Sequence, residues 1–265
     1  MSVEVYNNLC EIAQDMRRAN VPPLIIKKIY VLAALELERY KKEINQQINE
    51  ENLINEKIDN NNNIKKINYI DEAVHREIDK IANNPWRGAE AYHFYLLCQR
   101  QLHQKKYKES CKTALRLKFY EDILGTEIIY KLIAICSYLN KCYKFFADAL
   151  IILSNDKSIN KNSKLKFINL SKNFFLKNKP ENKNEKFYKC PNPSCDEAIS
   201  EYDTYCNVCG FVLSGCVLSG KSILDNKYFK CKQCRNKTIK IEAKNNPFKH
   251  CPLCHLKLFG KRKEG

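Results

Sequence analysis

The sequence has few residues that break regular secondary structure, and it has no long apolar run. Its 265 residues include only 7 glycines and 8 prolines, which disfavours a turn-rich β-sandwich and favours long helices. No run approaches the ~18 apolar residues of a membrane span. The N-terminal stretch MSVEVYNNLCEIAQDMRR lacks the apolar core of a signal peptide. We therefore expect a soluble, intracellular protein in a reducing compartment.

Sequence motifs of catalysis are also missing. The chain has no P-loop, no glycine-rich dinucleotide turn, no GxSxG and no HExxH. His75, His93 and His103 have no cysteine or carboxylate at a spacing that would build a site around them, so we expect ordinary structural roles. The chain is predicted not to be an enzyme.

The net charge of +16 suggests a partner with an acidic surface, or nucleic acid. Residues 157–189 hold ten lysines against two glutamates, with Phe167, Phe174 and Phe175 interleaved. Basic charge with aromatic rings can hold single strands. These phenylalanines recur at helical spacing, however, which favours a buried helix face with solvated lysines. A nucleic-acid-binding zinc ribbon is therefore the alternative function, and nucleic acid is not the expected partner.

Helical periodicity covers most of the chain before residue 178. The segments 3–19 and 22–48 are predicted helices, and the second places Ile26, Tyr30 and Leu37 on one face. Later helical pairs carry small residues where helices must approach closely, as tetratricopeptide (TPR) hairpins do. The expected fold is mainly α: an α-solenoid of TPR-like hairpins followed by a small zinc-ribbon-like domain with short β-hairpins.

Changes in composition suggest the domain organisation. We predict an N-terminal helical hairpin at 1–48, an Asn/Lys-rich linker at 49–70, a TPR-like segment at 71–178, a linker at 179–189, a double zinc-binding domain at 190–259 and a basic tail at 260–265.

Eight of the fourteen cysteines fall in four close pairs, which is metal spacing rather than a disulfide framework. Four soft thiolates suit one tetrahedral zinc ion and leave no open coordination position, so two structural zinc ions are predicted. So small a domain, with few large apolar side chains, would depend on the metal to fold. The predicted ligands are Cys190, Cys195, Cys206, Cys209, Cys231, Cys234, Cys251 and Cys254.

The spacing leaves the pairing open between two arrangements. A sequential ribbon joins neighbouring pairs, whereas a cross-brace joins the first pair with the third, as in RING ubiquitin ligases. Each half holds a complete set of four, which favours the sequential arrangement and makes a ubiquitin ligase the lesser alternative. Cys216, His250 and His255 are predicted not to be ligands, because four cysteines already complete each site.

Several stretches resemble a known family. WRGAEAYHFYLLCQRQL (86–102), KTALRLKFYEDIL (112–124) and IIYKLIAICS (128–137) resemble the C-terminal region of the naofen family, the WD-repeat and TPR-like subunits of intraflagellar transport complex A (IFT-A). CVLSGKSILDNKYFKCKQC (216–234) and HCPLCH (250–255) resemble the terminal zinc-binding segment of that family.

The resemblance implies stacked helices that end in zinc modules, within a non-enzymatic complex that moves cargo from ciliary tip to base and admits membrane proteins to cilia. It implies other complex A subunits as partners of the helical region, and membrane-protein cargo indirectly. It implies location in the cilium, at the ciliary base or basal body, and in the cytoplasm. The two N-terminal β-propellers of the family have no counterpart in this sequence.

Overall fold

The computed structural model describes residues 2–58, 84–182, 185–245 and 250–257. The chain divides into two compact units, Met1–Ala89 and Glu90–Gly265. The predicted start of the second helical block near residue 71, the rest of the predicted linker from residue 59, His75 and the basic tail lie outside the described residues. The described part is mainly helical with two small antiparallel sheets, which confirms the predicted fold class.

The first unit is built on a helical hairpin of α1 (Ser2–Arg18) and α2 (Pro23–Ile58). The turn between them places Asn20 in the left-handed region at φ 54°, and the N–H of Val21 bonds the Met16 carbonyl at 3.0 Å. This is the Schellman arrangement that satisfies carbonyls at a helix end. The predicted face of α2 is buried, including Ile26 and Leu37. The helix continues to Ile58, beyond the predicted end at residue 48.

Trp86 and Gly88 pack closely within the same unit. The Trp86 indole Nε1–H donates to Glu38 Oε1 at 2.7 Å. A Cβ at residue 88 would lie 2.2 Å from the Tyr30 ring, so only glycine fits there. The tryptophan is 2 % exposed, and its one polar atom is satisfied.

The remaining helices lie in the second unit, apart from the first three residues of α3. They are α3 (Arg87–His103), α4 (Tyr107–Arg116), a 3₁₀ turn (Leu117–Tyr120), α5 (Glu121–Leu124), α6 (Thr126–Leu139), α7 (Tyr143–Asn155) and α8 (Lys161–Phe175). Helix α6 packs against α4 and α7, and α8 packs on α7.

The two helical hairpins α3–α4 and α6–α7 turn in the same way. Lys105 and Lys141 occupy the left-handed region at φ 58° and 59°. The N–H of the next residue bonds a carbonyl five positions back, Lys106 to Gln101 and Cys142 to Ser137, each at 2.9 Å. The two turns lie 36 residues apart, close to the ~34-residue period of a TPR. The structure thus gives a repeat length that cannot be read from the sequence, because the repeats have diverged.

Short hairpins follow the helices. Strands β1 (Phe187–Lys189) and β2 (Ala198–Ser200) pair antiparallel with Tyr188 opposite Ile199. Strands β3 (Tyr228–Lys230) and β4 (Lys237–Ile239) pair with Phe229 opposite Thr238, and α9 (Lys240–Lys244) follows directly. Each hairpin loop carries one predicted cysteine pair.

Among the helices that the structure describes, none combines the length and the apolar character needed to cross a bilayer.

Candidate metal centres and their docking surface

The first cysteine cluster forms where the β1–β2 loop meets a second turn. Cys190 follows β1 and Cys195 precedes β2, while Cys206 and Cys209 come from the next turn. The four sulfurs lie within 4.8 Å of one another, with Cys190–Cys209 at 3.7 Å and Cys195–Cys206 at 3.8 Å. A tetrahedral zinc with ~2.3 Å bonds separates its sulfurs by ~3.8 Å. The donor set therefore fits a zinc ion.

The second cluster repeats this design on the β3–β4 hairpin. Cys231 follows β3, Cys234 precedes β4, and the Cys251–Cys254 pair supplies the other two sulfurs. The Sγ atoms of Cys231 and Cys254 are 3.5 Å apart, and those of Cys234 and Cys251 are 3.6 Å apart. The structure thus groups neighbouring pairs, as in a sequential ribbon, and not in the cross-braced order. The two clusters fit two structural zinc ions.

A common backbone turn presents three of the four cysteine pairs, those that begin at Cys206, Cys231 and Cys251. In the turn Cys206–Phe211, the N–H of Cys206 donates to the Phe211 carbonyl at 2.9 Å. The N–H of Gly210 donates to the Cys206 carbonyl, also at 2.9 Å. Gly210 has φ 71°, the left-handed conformation expected for it. Arg235 and His255 hold the same turn position at φ 55° and 63°. His255 therefore serves the turn through its backbone, and its side chain is exposed.

Hydrogen bonding prepares one thiol of the first cluster for metal. The backbone N–H of Phe211 lowers the pKa of Cys209 to about 6, which favours the thiolate form that binds a metal ion. Burial raises the pKa of Cys190, so a metal ion would have to displace its proton on binding.

The segment Cys216–Lys221 has the same turn without a cysteine pair, and we call it the pseudo-knuckle. The Cys216 N–H bonds the Lys221 carbonyl at 2.8 Å, and Gly220, at φ 74°, bonds back to Cys216 at 2.7 Å. Ser219 stands where a second cysteine would be. The Cys216 thiol donates to Glu242 Oε2 at 2.9 Å and belongs to neither cluster. Burial raises its pKa and the Glu242 carboxylate raises it further, which keeps it a neutral thiol.

The pseudo-knuckle docks on helices α3 and α4 through its backbone carbonyls. Gln101 Nε2 donates to the Ser219 carbonyl at 2.9 Å, and His93 Nε2 bonds the Val217 carbonyl at 2.7 Å. A carbonyl only accepts, so Nε2 of His93 carries the proton. A Cβ at residue 220 would lie 2.0 Å from Thr113 Oγ1. The backbone of this turn therefore lies directly against α4.

Arg116, at the end of α4, joins three parts of the zinc-binding region. Its guanidinium donates to the Leu213 carbonyl at 2.8 Å, to the Gly220 carbonyl at 3.3 Å and to Ser222 Oγ at 2.9 Å. The residue is 4 % exposed. Burial lowers its pKa to about 10, so it remains a cation at neutral pH. A Cβ at residue 215 would lie 2.5 Å from Arg116 Nε, so glycine is needed here as well.

A second contact joins α4 to the first zinc-binding hairpin. Lys108 and Lys112 form ion pairs with Glu201 at 2.7 and 2.6 Å, and the Glu201 side chain is almost fully buried. Burial raises the pKa of this carboxyl, but the two ammonium groups outweigh that effect and hold it below its ordinary value. Helix α4 therefore supports both parts of the cysteine-rich region.

Comparison with known proteins matches both halves of this arrangement. Residues 83–182 match a family model described as IFT121-like, TPR repeats, and residues 214–259 match one described as IFT121, second zinc finger domain. Together the two matches cover more than half of the chain. The chain belongs to the IFT121 family. The resemblance to the C-terminal region of that family, predicted from the sequence, is thereby confirmed.

Three relatives of this IFT121-family chain are WD repeat-containing protein 35 from Rattus norvegicus, Mus musculus and Homo sapiens. Each is 29% identical over 248 residues, or 92% of this chain. The chain spans 19% of the length of these relatives.

Sequence reasoning did not identify the docking residues of the IFT121-type domains. Arg116, Glu201 and His93 were not distinguishable from other polar helix or loop residues. One signal was available: the tripeptide Leu-Ser-Gly occurs at 213–215 and again at 218–220. The glycines of both tripeptides lie against α4: Gly215 against Arg116, and Gly220 against Thr113.

Two of the three phenylalanines of α8, Phe174 and Phe175, pack with other aromatic side chains. Phe174 lies 5.6 Å from Tyr138 and 5.1 Å from Phe146, measured between ring centroids. Its ring is half-buried within this group. None of the residues of α8 is fully buried, so the helix face that the sequence predicted to be buried stays partly exposed.

Proposed function

We propose that the chain is a non-enzymatic scaffold of intraflagellar transport complex A, in which the helices bind other subunits. The observation that supports this most directly is the docking of the cysteine-rich modules on α4 through Arg116 and Glu201. Buried contacts of this kind make a rigid surface. The IFT121-type domains supply the link to the complex.

We also propose that each cysteine cluster binds one zinc ion through all four thiolates. Four thiolates complete the tetrahedron, so no position remains for water or substrate, and the metal supplies stability rather than chemistry. The first site would use Cys190, Cys195, Cys206 and Cys209, and the second Cys231, Cys234, Cys251 and Cys254. The predicted division into a TPR-like segment at 71–178 and a double zinc domain at 190–259 belongs to the same proposal.

Family membership supports a role in retrograde ciliary transport and in the entry of membrane proteins into cilia. The chain would then act in the cilium, at the ciliary base or basal body and in the cytoplasm, and would meet membrane-protein cargo indirectly through the complex.

The test is reconstitution. The zinc-loaded chain is mixed with purified complex A subunits and co-elution is measured by size-exclusion chromatography. We expect co-elution with at least one subunit, weakened when Cys231 and Cys234 are both replaced by serine. The control is Cys216→Ser, which leaves both clusters intact. Failure to co-elute with any subunit would contradict the scaffold function.

A further inference from the structure

Helices α6, α7 and α8 enclose an apolar groove that nothing in the described chain fills. Its volume is about 480 Å³, and its lining includes Ile135, Tyr138, Phe167 and Leu170. Ile135 is 52% exposed, and Tyr138 and Leu170 are each 48% exposed. Such a volume lies within the usual range for a binding pocket. Side chains this apolar and this accessible, gathered in one concavity, mark an interaction site.

Helix α8, which forms one wall of the groove, carries basic side chains and no acidic ones. The segment 157–179 contains seven lysines and no acidic residue. Lys166 is exposed and lies one helical turn before Leu170, so both lie on the same side of α8. Within the described part of the chain, no carboxylate forms an ion pair with Lys166. On the α6 side, Lys131 lines the groove and pairs with Glu127.

The shape of this surface favours one kind of occupant. An apolar groove between helices receives the apolar face of another helix, with side chains at i, i+3 or i+4, and i+7. A bilayer surface would contact protruding apolar side chains better than recessed ones. The excess of lysine favours a partner whose flanking residues are acidic.

We infer that the α6–α8 groove binds an acidic amphipathic helix of a partner protein. This inference rests on the scaffold function and specifies the partner segment that the helical region takes. The apolar face of the partner fills the space over Ile135 and Leu170, and its carboxylates lie near Lys166.

The test uses a displayed library of helical peptides about four turns long, without charge bias, selected against the zinc-loaded full chain. We expect enriched peptides to be acidic and to carry apolar residues at helical spacing. Leu170→Glu or Ile135→Glu should weaken their binding by at least about tenfold, because a buried carboxylate in the groove would be unpaired. Lys166→Glu should weaken binding less and reduce its dependence on salt.

Matched controls come from the same helices. Leu165→Glu on α8 and Ile151→Glu on α7 change residues that are each 54% exposed and lie outside the groove lining. Both variants should bind the enriched peptides as the wild type does. Because all four apolar positions are surface-exposed, the variants should melt at the temperature of the wild type.

Four outcomes would overturn the inference. They are the absence of any enriched helical peptide, enrichment of neutral or basic peptides, binding that survives Leu170→Glu, and tighter Leu170-dependent binding of phosphatidylserine vesicles or an oligonucleotide. If no helical peptide binds the groove while the chain still co-elutes with complex A subunits, the groove assignment is wrong and the scaffold function stands.

Discussion

Replacement of Arg116 by methionine should loosen the zinc-binding region from the helices. The guanidinium makes three hydrogen bonds from a site that is 4 % exposed, two to backbone carbonyls and one to Ser222 Oγ. Methionine fills much of the same space but donates nothing. The carbonyls of Leu213 and Gly220 would be left buried and unsatisfied.

The magnitude follows from the cost of such groups. Each unsatisfied buried acceptor costs about 1–3 kcal/mol. Removing the buried guanidinium cation offsets part of this free-energy cost, because burying a charge is itself unfavourable. We expect a net loss of about 2–4 kcal/mol in the free energy of unfolding. For a chain of this size, that corresponds to a fall of roughly 5–15 °C in melting temperature.

The assay is urea and thermal unfolding of the zinc-loaded chain, followed by far-ultraviolet circular dichroism. Zinc release to a chelator is measured in parallel and should be faster in the variant. The matched control is Arg100→Met, on the exposed surface of α3. A change of less than about 0.5 kcal/mol for Arg116→Met, the size of an ordinary surface substitution, would refute the docking role.

Three further predictions concern the same surface. Gly220→Ala should destabilise the chain by about 2 kcal/mol or more, because the new methyl would lie 2.0 Å from Thr113 Oγ1 at a φ of 74°; an unchanged melting temperature would contradict this. Glu201 has a lowered pKa in the folded state, so its contribution is present above its unfolded pKa of about 4.3 and is lost as pH falls through the lower folded value. The stability difference between wild type and Glu201→Gln should therefore shrink on acidification, and a constant difference would exclude the ion pairs as its cause. Cys216→Ser should leave the zinc content unchanged, and a lower content by metal analysis would make Cys216 a ligand.

Periodicity and spacing predicted those features that depend on local sequence. The buried face of α2, with Ile26 and Leu37, follows a 3.6-residue repeat. Three of the four cysteine pairs have Cys-x2-Cys spacing, which is a property of the turn itself, and the fourth, Cys190 and Cys195, spans the β1–β2 loop. The positive φ of Gly210 follows from the same turn.

Other features depend on contacts between distant segments, and sequence alone did not predict them. Helix α3 buries His93 and Phe94 as well as Leu97 and Cys98, so it has no single apolar face. The pseudo-knuckle accounts for part of this, since it meets α3 at His93, 124 residues away in sequence. The role of Arg116 is equally non-local, because its acceptors lie about a hundred residues further on.

The central claim is that two independent tetrathiolate zinc sites stabilise the region docked on α4. The most direct measurement is the zinc content of the purified full chain by metal analysis, repeated after Cys231 and Cys234 are both changed to serine. The structure predicts two zinc ions per chain, falling to one in the double variant, with the first cluster still filled. An absence of zinc in the wild type, or a double variant that remains folded but binds none, would contradict it.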